Sequence, residues 1–284
     1  MVRNYLKVAL RHLRKQAGYA FINIVGLGIG LAACVLILLY VQDELRYDRY
    51  HEHADRIYRV GLEGVLNGRE IRSASTPAPM AATMKEEYPE VAQSTRVWEM
   101  GRVLVSRGDH RFYEEKWMWV DSTVFDVFTW PLLEGDPATA LAEPHSVVLT
   151  ASMARKYFGD ENPVGKTLRM EQFGDFTVTG VVRVPRNSHL GFDLMLSFAT
   201  LESIEGFNNF LGSWRSSGVV TYVVLAGGAA PDAVAAGMRD LQAAHVEAEA
   251  RAERRPYLQA LTDIHFGSGG IAFEENAREG DRAY

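Results

Sequence analysis

The pattern of apolar and charged positions separates an uncharged stretch near the start of the chain from a long mixed remainder. Between Gly18 and Tyr40 the sequence runs for 23 residues without a charge. A helix of that length is about 34 Å long, which is enough to cross a hydrocarbon core of roughly 30 Å. The pattern therefore predicts a transmembrane helix over residues 18–41.

The residues before that stretch predict an amphipathic helix over 1–17. Leu6, Leu10 and Leu13 fall on one helical face, and the basic residues fall on the other. Such a helix is typical of a segment lying in the membrane interface, and an ordinary positively charged flank is the alternative. Residues 1–16 carry five basic residues and no acid, namely Arg3, Lys7, Arg11, Arg14 and Lys15. The positive-inside rule places this end in the cytoplasm and the bulk of the chain outside.

Two other interpretations of the apolar stretch are open. A cleaved signal peptide has a shorter apolar core followed by a small-residue cleavage site, and no such site precedes Asp43. Residues 31–34 resemble a bacterial lipobox, which would place a lipid on Cys34 after cleavage. That cleavage would leave seven further apolar residues outside the membrane. We therefore favour a retained anchor.

Small residues repeat along one face of the predicted transmembrane helix. Gly26, Gly30 and Cys34 are spaced four residues apart. Small residues at this spacing let a second helix approach closely in lipid, so we expect Gly26 and Gly30 to pack against another membrane helix.

The region after the membrane predicts a stalk followed by a mixed domain. Residues 42–56 contain no helix breaker, so the helix is expected to continue through Asp43, Glu44, Leu45, Tyr47 and Asp48. Strands are predicted over 56–66, 70–74, 93–105, 111–120, 146–149, 167–170, 176–184, 219–225 and 257–261. Helices are predicted over 76–88, 150–158 and 231–252, with a strand leading into a helix over 193–201.

Local signals refine these assignments. Asn67-Gly68 predicts a hairpin turn, and Asp121 predicts the cap of a short helix. Strands with interspersed helices and no regular βαβ spacing indicate an α+β fold. We expect one extracytoplasmic domain over 57–284 with two subdomains, 57–105 together with 214–284, and 106–213.

Charge and cysteine content narrow the function classes. The chain carries a net charge of −6, so the part beyond residue 16 carries −11. This acidic balance argues against nucleic acid as a partner. The single cysteine lies in the apolar stretch, so the exported part has no disulfide.

Candidate chemical motifs are weak. His51-Glu52-His53 lacks the spacing of a zinc motif and is expected to be solvated stalk surface. Gly165-Lys166 lacks the preceding glycine of a phosphate loop and predicts a turn into a strand. Ser188-His189, with Asp193 nearby, is expected to be a solvated polar loop rather than a catalytic triad. We therefore assign no catalytic residue, metal ligand or cofactor.

An ordered set of short motifs resembles one family over essentially the whole chain. Residues 43–51 and 54–60 closely resemble the post-membrane signature of bacterial ABC-transporter permeases of the MacB-like/FtsX-like class. Further matching fragments follow in order: Asp121, Phe125 and Phe128; Leu133, Gly135 and Asp136; 147–150; Ala154 and 157–159; Asn162, Pro163, Gly165 and Lys166; 180–182; 187–189; 192–193; and 221–223.

This resemblance implies a first membrane helix followed by a MacB-like periplasmic core domain. In such permeases a cytoplasmic ATPase drives closure of a permease dimer, and the stalk passes the motion outward to move cargo, often with a periplasmic adaptor. It implies location in the bacterial inner membrane. The family continues into three more membrane helices, whereas this sequence stops at Tyr284, so we expect the N-terminal part of a longer permease or a truncated product. A stand-alone tethered binding or sensor module is the alternative function, and an anchored hydrolase is a third.

Overall fold

The computed structural model describes residues 2–66, 69–245, 254–269 and 271–272. It forms two compact units, the first ending at Arg46 and the second beginning at Tyr47. The first unit holds helices α1 (Val2–Lys15) and α2 (Ala17–Glu44). Helix α2 buries none of its side chains and is long and apolar enough, by length and composition, to cross a membrane. Both predicted N-terminal helices are therefore present.

The stalk is shorter as a helix than the sequence predicts. Helix α2 ends at Glu44, and turns follow from Leu45 to Arg56. Asp48 has a φ of 57°, in the left-handed region. A right-handed helix cannot continue through such a residue. The helical prediction over 42–56 is wrong beyond Glu44 for this reason.

The second unit is an α+β domain, as predicted. Its first strands are β1 (Ile57–Leu66), β2 (Arg69–Ser73), β3 (Ser75–Pro77), β4 (Val91–Glu99), β5 (Val103–Arg107), β6 (His110–Glu114), β7 (Trp117–Val120) and β8 (Leu132–Glu134). The later strands are β9 (Ser146–Thr150), β10 (Thr167–Met170), β11 (Gly174–Val182), β12 (Leu194–Ser197), β13 (Ser217–Leu225), β14 (Arg254–Ala260) and β15 (Ile271–Ala272). Its helices are α3 (Met80–Glu87), α4 (Val124–Val127), α5 (Ala151–Phe158), α6 (Ala199–Glu202), α7 (Asn208–Leu211), α8 (Pro231–His245) and α9 (Leu261–Gly267), with a 3-10 turn at Glu205–Phe207.

One mixed sheet contains all the described strands. Its order is β15-β2-β1-β13-β4-β7-β12-β9-β11-β10-β5-β6, with β14 beside β1, β3 beside β13 and β8 beside β11. The pairs β7–β12, β9–β11 and β2–β15 are parallel, and the other pairs are antiparallel. The sheet is continuous across the expected subdomains, whose division stays a prediction.

The central strands are buried on both faces. In β7, Trp117 and Trp119 pack into one core cluster, while Met118 and Val120 pack into another on the opposite face. Successive strand residues point to opposite faces, so a continuous apolar run indicates a strand covered on both sides. The run Trp117–Val120 is such a strand.

Several predicted boundaries shift. The strand predicted over 93–105 is divided between β4 and β5, and the helix predicted over 76–88 begins at Met80 because Ser75–Pro77 pairs with β13. Asp121 does not cap a helix through its side chain. Its carboxylate binds the guanidinium of Arg96 at 2.7 Å. The Asn67-Gly68 turn and residues 246–252 of the predicted helix lie outside the described residues.

Candidate functional site

The turns that follow Tyr47 are held by a buried carboxylate. Asp48 is fully buried, and its backbone N–H donates to the carbonyl of Asn187 at 2.9 Å. Its carboxylate oxygens accept from the backbone N–H of His189 at 3.1 and 3.2 Å. The segment is thereby tied to a loop 141 residues later in the chain.

The contact continues from Asp48 into the sheet through His189. Nδ1 of His189 lies 3.0 Å from Oδ2 of Asp48, an electrostatic contact outside hydrogen-bonding geometry. On the other side of the ring, Nε2 lies 2.8 Å from the hydroxyl of Tyr222 on β13. All three side chains are buried. A chain of polar contacts therefore joins the start of the domain to a central strand.

His51 fixes the same turns to a third segment. Its ring is buried, and Nδ1 accepts from the backbone N–H of Thr129 at 2.9 Å. Burial lowers the pKa of His51 to about 3, the nearby carboxylate of Asp48 opposes that shift, and His189 adds to it. The ring is therefore neutral at physiological pH. Since Nδ1 accepts, the proton is on Nε2, which lies 3.9 Å from Oδ1 of Asp48.

Aromatic rings surround this polar centre. The indole N–H of Trp130 donates to the hydroxyl of Tyr50 at 3.0 Å, and Phe128 stacks on Trp130 with ring centroids 4.7 Å apart. Burial raises the pKa of Tyr50 to about 12, with the hydroxyl of Ser188 opposing the shift. We call Asp48, Tyr50, His51, Trp130, His189 and Tyr222 the latch. Polar contacts enclosed in this way are stronger than in water, and losing one partner is costly.

The latch does not resemble a site that acts on a substrate. A residue that acts on a substrate must reach it, whereas Ser188 and His189 are completely buried. The sequence predictions of a solvated loop at Ser188-His189 and a solvated surface at His51 are both wrong, because their partners lie far away in the sequence. Within the residues that the structure describes, no group of three or more His, Cys, Asp or Glu side chains could hold a metal ion.

The predicted stalk residues divide between the two units. Asp43 and Glu44 close helix α2, and Leu45 is exposed after it. Tyr47 and Asp48 belong to the domain, where the ring of Tyr47 stacks on His265 with centroids 3.5 Å apart. Tyr47 and Asp48 thus anchor the start of the domain.

The predicted packing face of α2 is open in the structure. A Cβ atom added at Gly26 or Gly30 would meet nothing within 4 Å. There is room for a second helix on this face, and the packing role of these glycines stays a prediction.

Sequence reasoning missed most of the latch. His51 and His189 were considered and set aside as solvated surface, and Tyr50, Trp130 and Tyr222 were not among the candidate site residues. A usable signal was nevertheless present, because the family-like fragments 43–51, 187–189 and 221–223 all contribute to this one cluster. Fragments that recur together in a signature can mark residues that meet in the fold.

The comparisons with known proteins agree with this architecture. A family model described as the MacB-like periplasmic core domain matches residues 20–241. A solved domain of a protein described as a permease, from Porphyromonas gingivalis, is 24% identical and covers 74% of this chain and 92% of its own, with a TM-score of 0.63. The periplasmic region of MacB from Actinobacillus actinomycetemcomitans is 17% identical and covers 74% of this chain and 91% of its own, with a TM-score of 0.53.

A third solved structure has the same fold. The extracellular domain of the noncanonic ABC-type transporter YknZ from Gram-positive bacteria is 16% identical, with a TM-score of 0.52. It covers 72% of this chain and 99% of its own. The search of curated protein sequences finds no match.

Proposed function

The chain belongs to the MacB-like periplasmic core domain family, and from that membership we propose that it is the membrane-anchored, extracytoplasmic part of an ABC-transporter permease. In this proposal ATP-driven motion in the cytoplasm reaches the domain through α2 and the latch. The domain then moves cargo outside the inner membrane. Its partners are a cytoplasmic ATPase subunit, a second permease copy or half, and a periplasmic adaptor.

The latch is the observation that carries this proposal. A segment that transmits displacement must be fixed to the body that it moves, and it must not slip. Asp48 and His51 are fixed to two separate segments through three hydrogen bonds to backbone groups and one electrostatic contact with a buried side chain. They lie directly before β1, which pairs with both β13 and β14. Displacement applied at Tyr47 would therefore reach the sheet without a flexible joint.

The membrane arrangement follows from the charge pattern. Helix α2 carries no charge from Ala17 to Val41, while residues 1–16 carry five basic residues and no acid. We propose that α1 lies on the cytoplasmic side of the bacterial inner membrane and the domain on the outer side. Protease added to spheroplasts should cleave the domain, and cleavage only in inside-out vesicles would contradict this orientation.

The coupling role can be tested without knowing the cargo. The chain is expressed as part of its full permease, together with the ABC ATPase. Cys34→Ala removes the native cysteine, and Asp160→Cys provides an exposed position for a spin label. ATP binding should change the distance between the labels of the two copies. A flexible Gly-Ser insertion between Arg46 and Tyr47 should abolish this distance change while ATP hydrolysis continues.

The matched control places the same insertion at Gly227-Gly228, an exposed turn that follows β13 and contributes no residue to the latch. This control should retain the ATP-dependent distance change. A change that survives the insertion before Tyr47 would refute transmission through the latch. If no ATPase associates with the native protein, the stand-alone tethered sensor becomes the better explanation.

A further inference from the structure

Strand β6 ends the sheet and presents aromatic side chains to solvent. In the sheet order β6 is terminal, and its described partner is β5 alone. Phe112 and Tyr113 on this strand are 39% and 60% exposed. Exposed strand edges carry unpaired backbone groups and are usually shielded by a bulge, a proline or inward charges. The β5–β6 register runs without a bulge from Val103 to Arg107, and β6 contains no proline. Its one buried charge, Glu114, lies at the end of the strand, so the backbone at Arg111 to Tyr113 stays open to pairing.

The hairpin geometry shows which backbone groups face outward. Gly108 has a φ of 56° and begins the two-residue turn between the paired residues Arg107 and His110, as in a type II′ turn. In an antiparallel pair, residue pairs that exchange backbone hydrogen bonds alternate with pairs that do not. The backbone N–H and C=O of Phe112 therefore bond to β5, whereas those of Arg111 and Tyr113 point away from the sheet. The carbonyl of Leu104, which lies opposite Tyr113, instead accepts from Glu171 on the other side.

The charges at this edge are already paired within the chain. Arg111 contacts Glu171 at 3.3 Å, and Lys156 contacts Glu114 at 2.6 Å. Glu114 also accepts from the hydroxyl of Tyr157 at 2.5 Å. The edge therefore presents aromatic surface and backbone groups with little net charge, and two such edges can approach each other without strong repulsion.

We propose that β6 pairs antiparallel with β6 of a second copy of this chain, about a two-fold axis at Phe112. The outward-facing groups fit this register. Arg111 of each copy lies opposite Tyr113 of the other, and these two pairs exchange four backbone hydrogen bonds. Phe112 meets Phe112 across the axis in a pair without hydrogen bonds. Arginine thus faces an aromatic ring rather than another arginine.

Self-pairing fits this strand better than a foreign peptide does. An axis at Phe112 is the register in which both outward-facing residues of β6, Arg111 and Tyr113, pair with outward-facing residues of the same strand in the other copy. A membrane-anchored chain also meets its own copies at high local concentration. The pairing does not rest on the proposed transport function, because it needs only two copies in one membrane.

Cysteine cross-linking in membranes tests the register directly. In the full chain with Cys34→Ala, the variant Phe112→Cys places two cysteines opposite each other, with Cα atoms roughly 4.5 Å apart, within disulfide range. The matched control is Tyr113→Cys. Its two Cα atoms would lie roughly 8 Å apart, since they are offset by two residues along each strand, and this exceeds the disulfide limit of about 7 Å.

Mild oxidation should convert Phe112→Cys to a covalent dimer, at least about fivefold more than Tyr113→Cys at equal expression, because only the first pair is within reach. Equal cross-linking of the two variants would overturn the proposed register. Cross-linking of Phe112→Cys to a different protein would overturn self-pairing and assign the edge to a peptide partner.

A proline variant separates pairing from folding. Tyr113→Pro removes an N–H that faces outward, so the bonds between β5 and β6 are kept. Combined with Phe112→Cys, it should reduce the cross-linked dimer at least about fivefold while the melting temperature stays within about 2 °C of the parent. A dimer yield that Tyr113→Pro leaves unchanged would also overturn the proposal.

Discussion

Replacing Asp48 should loosen the start of the domain more than any other single change in the turns after Tyr47. Asp48→Ala removes the carboxylate that accepts from the His189 backbone and faces its ring at 3.0 Å. It leaves a buried N–H without its acceptor. It also places alanine at a φ of 57°, where L-residues other than Asn, Asp and Gly are disfavoured.

The expected cost can be worked from these losses. Breaking a buried charged contact by removing one partner costs about 3–5 kcal/mol. The left-handed conformation adds about 1 kcal/mol for alanine. A total loss of about 4–6 kcal/mol corresponds to a fall in melting temperature of about 8–24 °C for a domain of this size. Asp48→Asn keeps the shape, one acceptor and tolerance of the left-handed region, so it should lose roughly half as much.

The assay is thermal unfolding of the full chain in detergent, followed by circular dichroism. Asp55→Ala, an exposed carboxylate on the same turns, is the matched control and should change the free energy of unfolding by no more than about 0.5 kcal/mol. A double-mutant cycle of Asp48→Ala with His189→Ala should show a coupling of at least about 1 kcal/mol. Additive effects of the two substitutions, or a decrease in melting temperature of less than about 3 °C for Asp48→Ala, would refute the described role of this contact.

Three further results are expected. The pKa of His51 is about 3 in the folded domain and near 6.5 in the unfolded chain, so protonation at low pH favours unfolding. The free energy of unfolding should therefore fall by roughly 3 kcal/mol between pH 7 and pH 4. Denaturant titrations of His51→Gln should lack this pH-dependent component. Gly135→Ala should cost about 2–3 kcal/mol, since its φ is 94° and the new Cβ would lie 2.3 Å from a backbone oxygen. Gly174→Ala, with a similar φ and open space, should cost less, and equal losses on thermal unfolding would discount the clash. Gly26→Leu with Gly30→Leu should weaken helix association in a membrane two-hybrid assay, and unchanged association would remove the packing role.

Local sequence pattern predicted the elements of the domain well where burial follows a simple period. The strands predicted over 146–149 and 167–170 and the helix predicted over 150–158 match β9, β10 and α5 within one residue at each end. The order of the strands was not predictable in the same way. Strand β13 pairs with β1, β3 and β4, all more than a hundred residues earlier, and no local period encodes such pairings.

The latch shows why polar residues were misplaced. Short polar stretches such as His51-Glu52-His53 read locally as surface, because a buried polar group is costly unless it is paired. Here His51 is paired with Thr129, and His189 with Asp48 and Tyr222. Those partners are supplied by the tertiary fold, so only reasoning about which fragments converge could have placed these side chains inside.

The stacking of Tyr47 on His265 has a practical consequence for protein engineering. The folded domain begins at Tyr47, and the chain returns to contact Tyr47 at His265, close to the last described residues. Segments whose two ends lie side by side can be transplanted into an exposed loop of an unrelated host without stretching it. Residues from 47 to just beyond 265 therefore form a natural cassette for grafting.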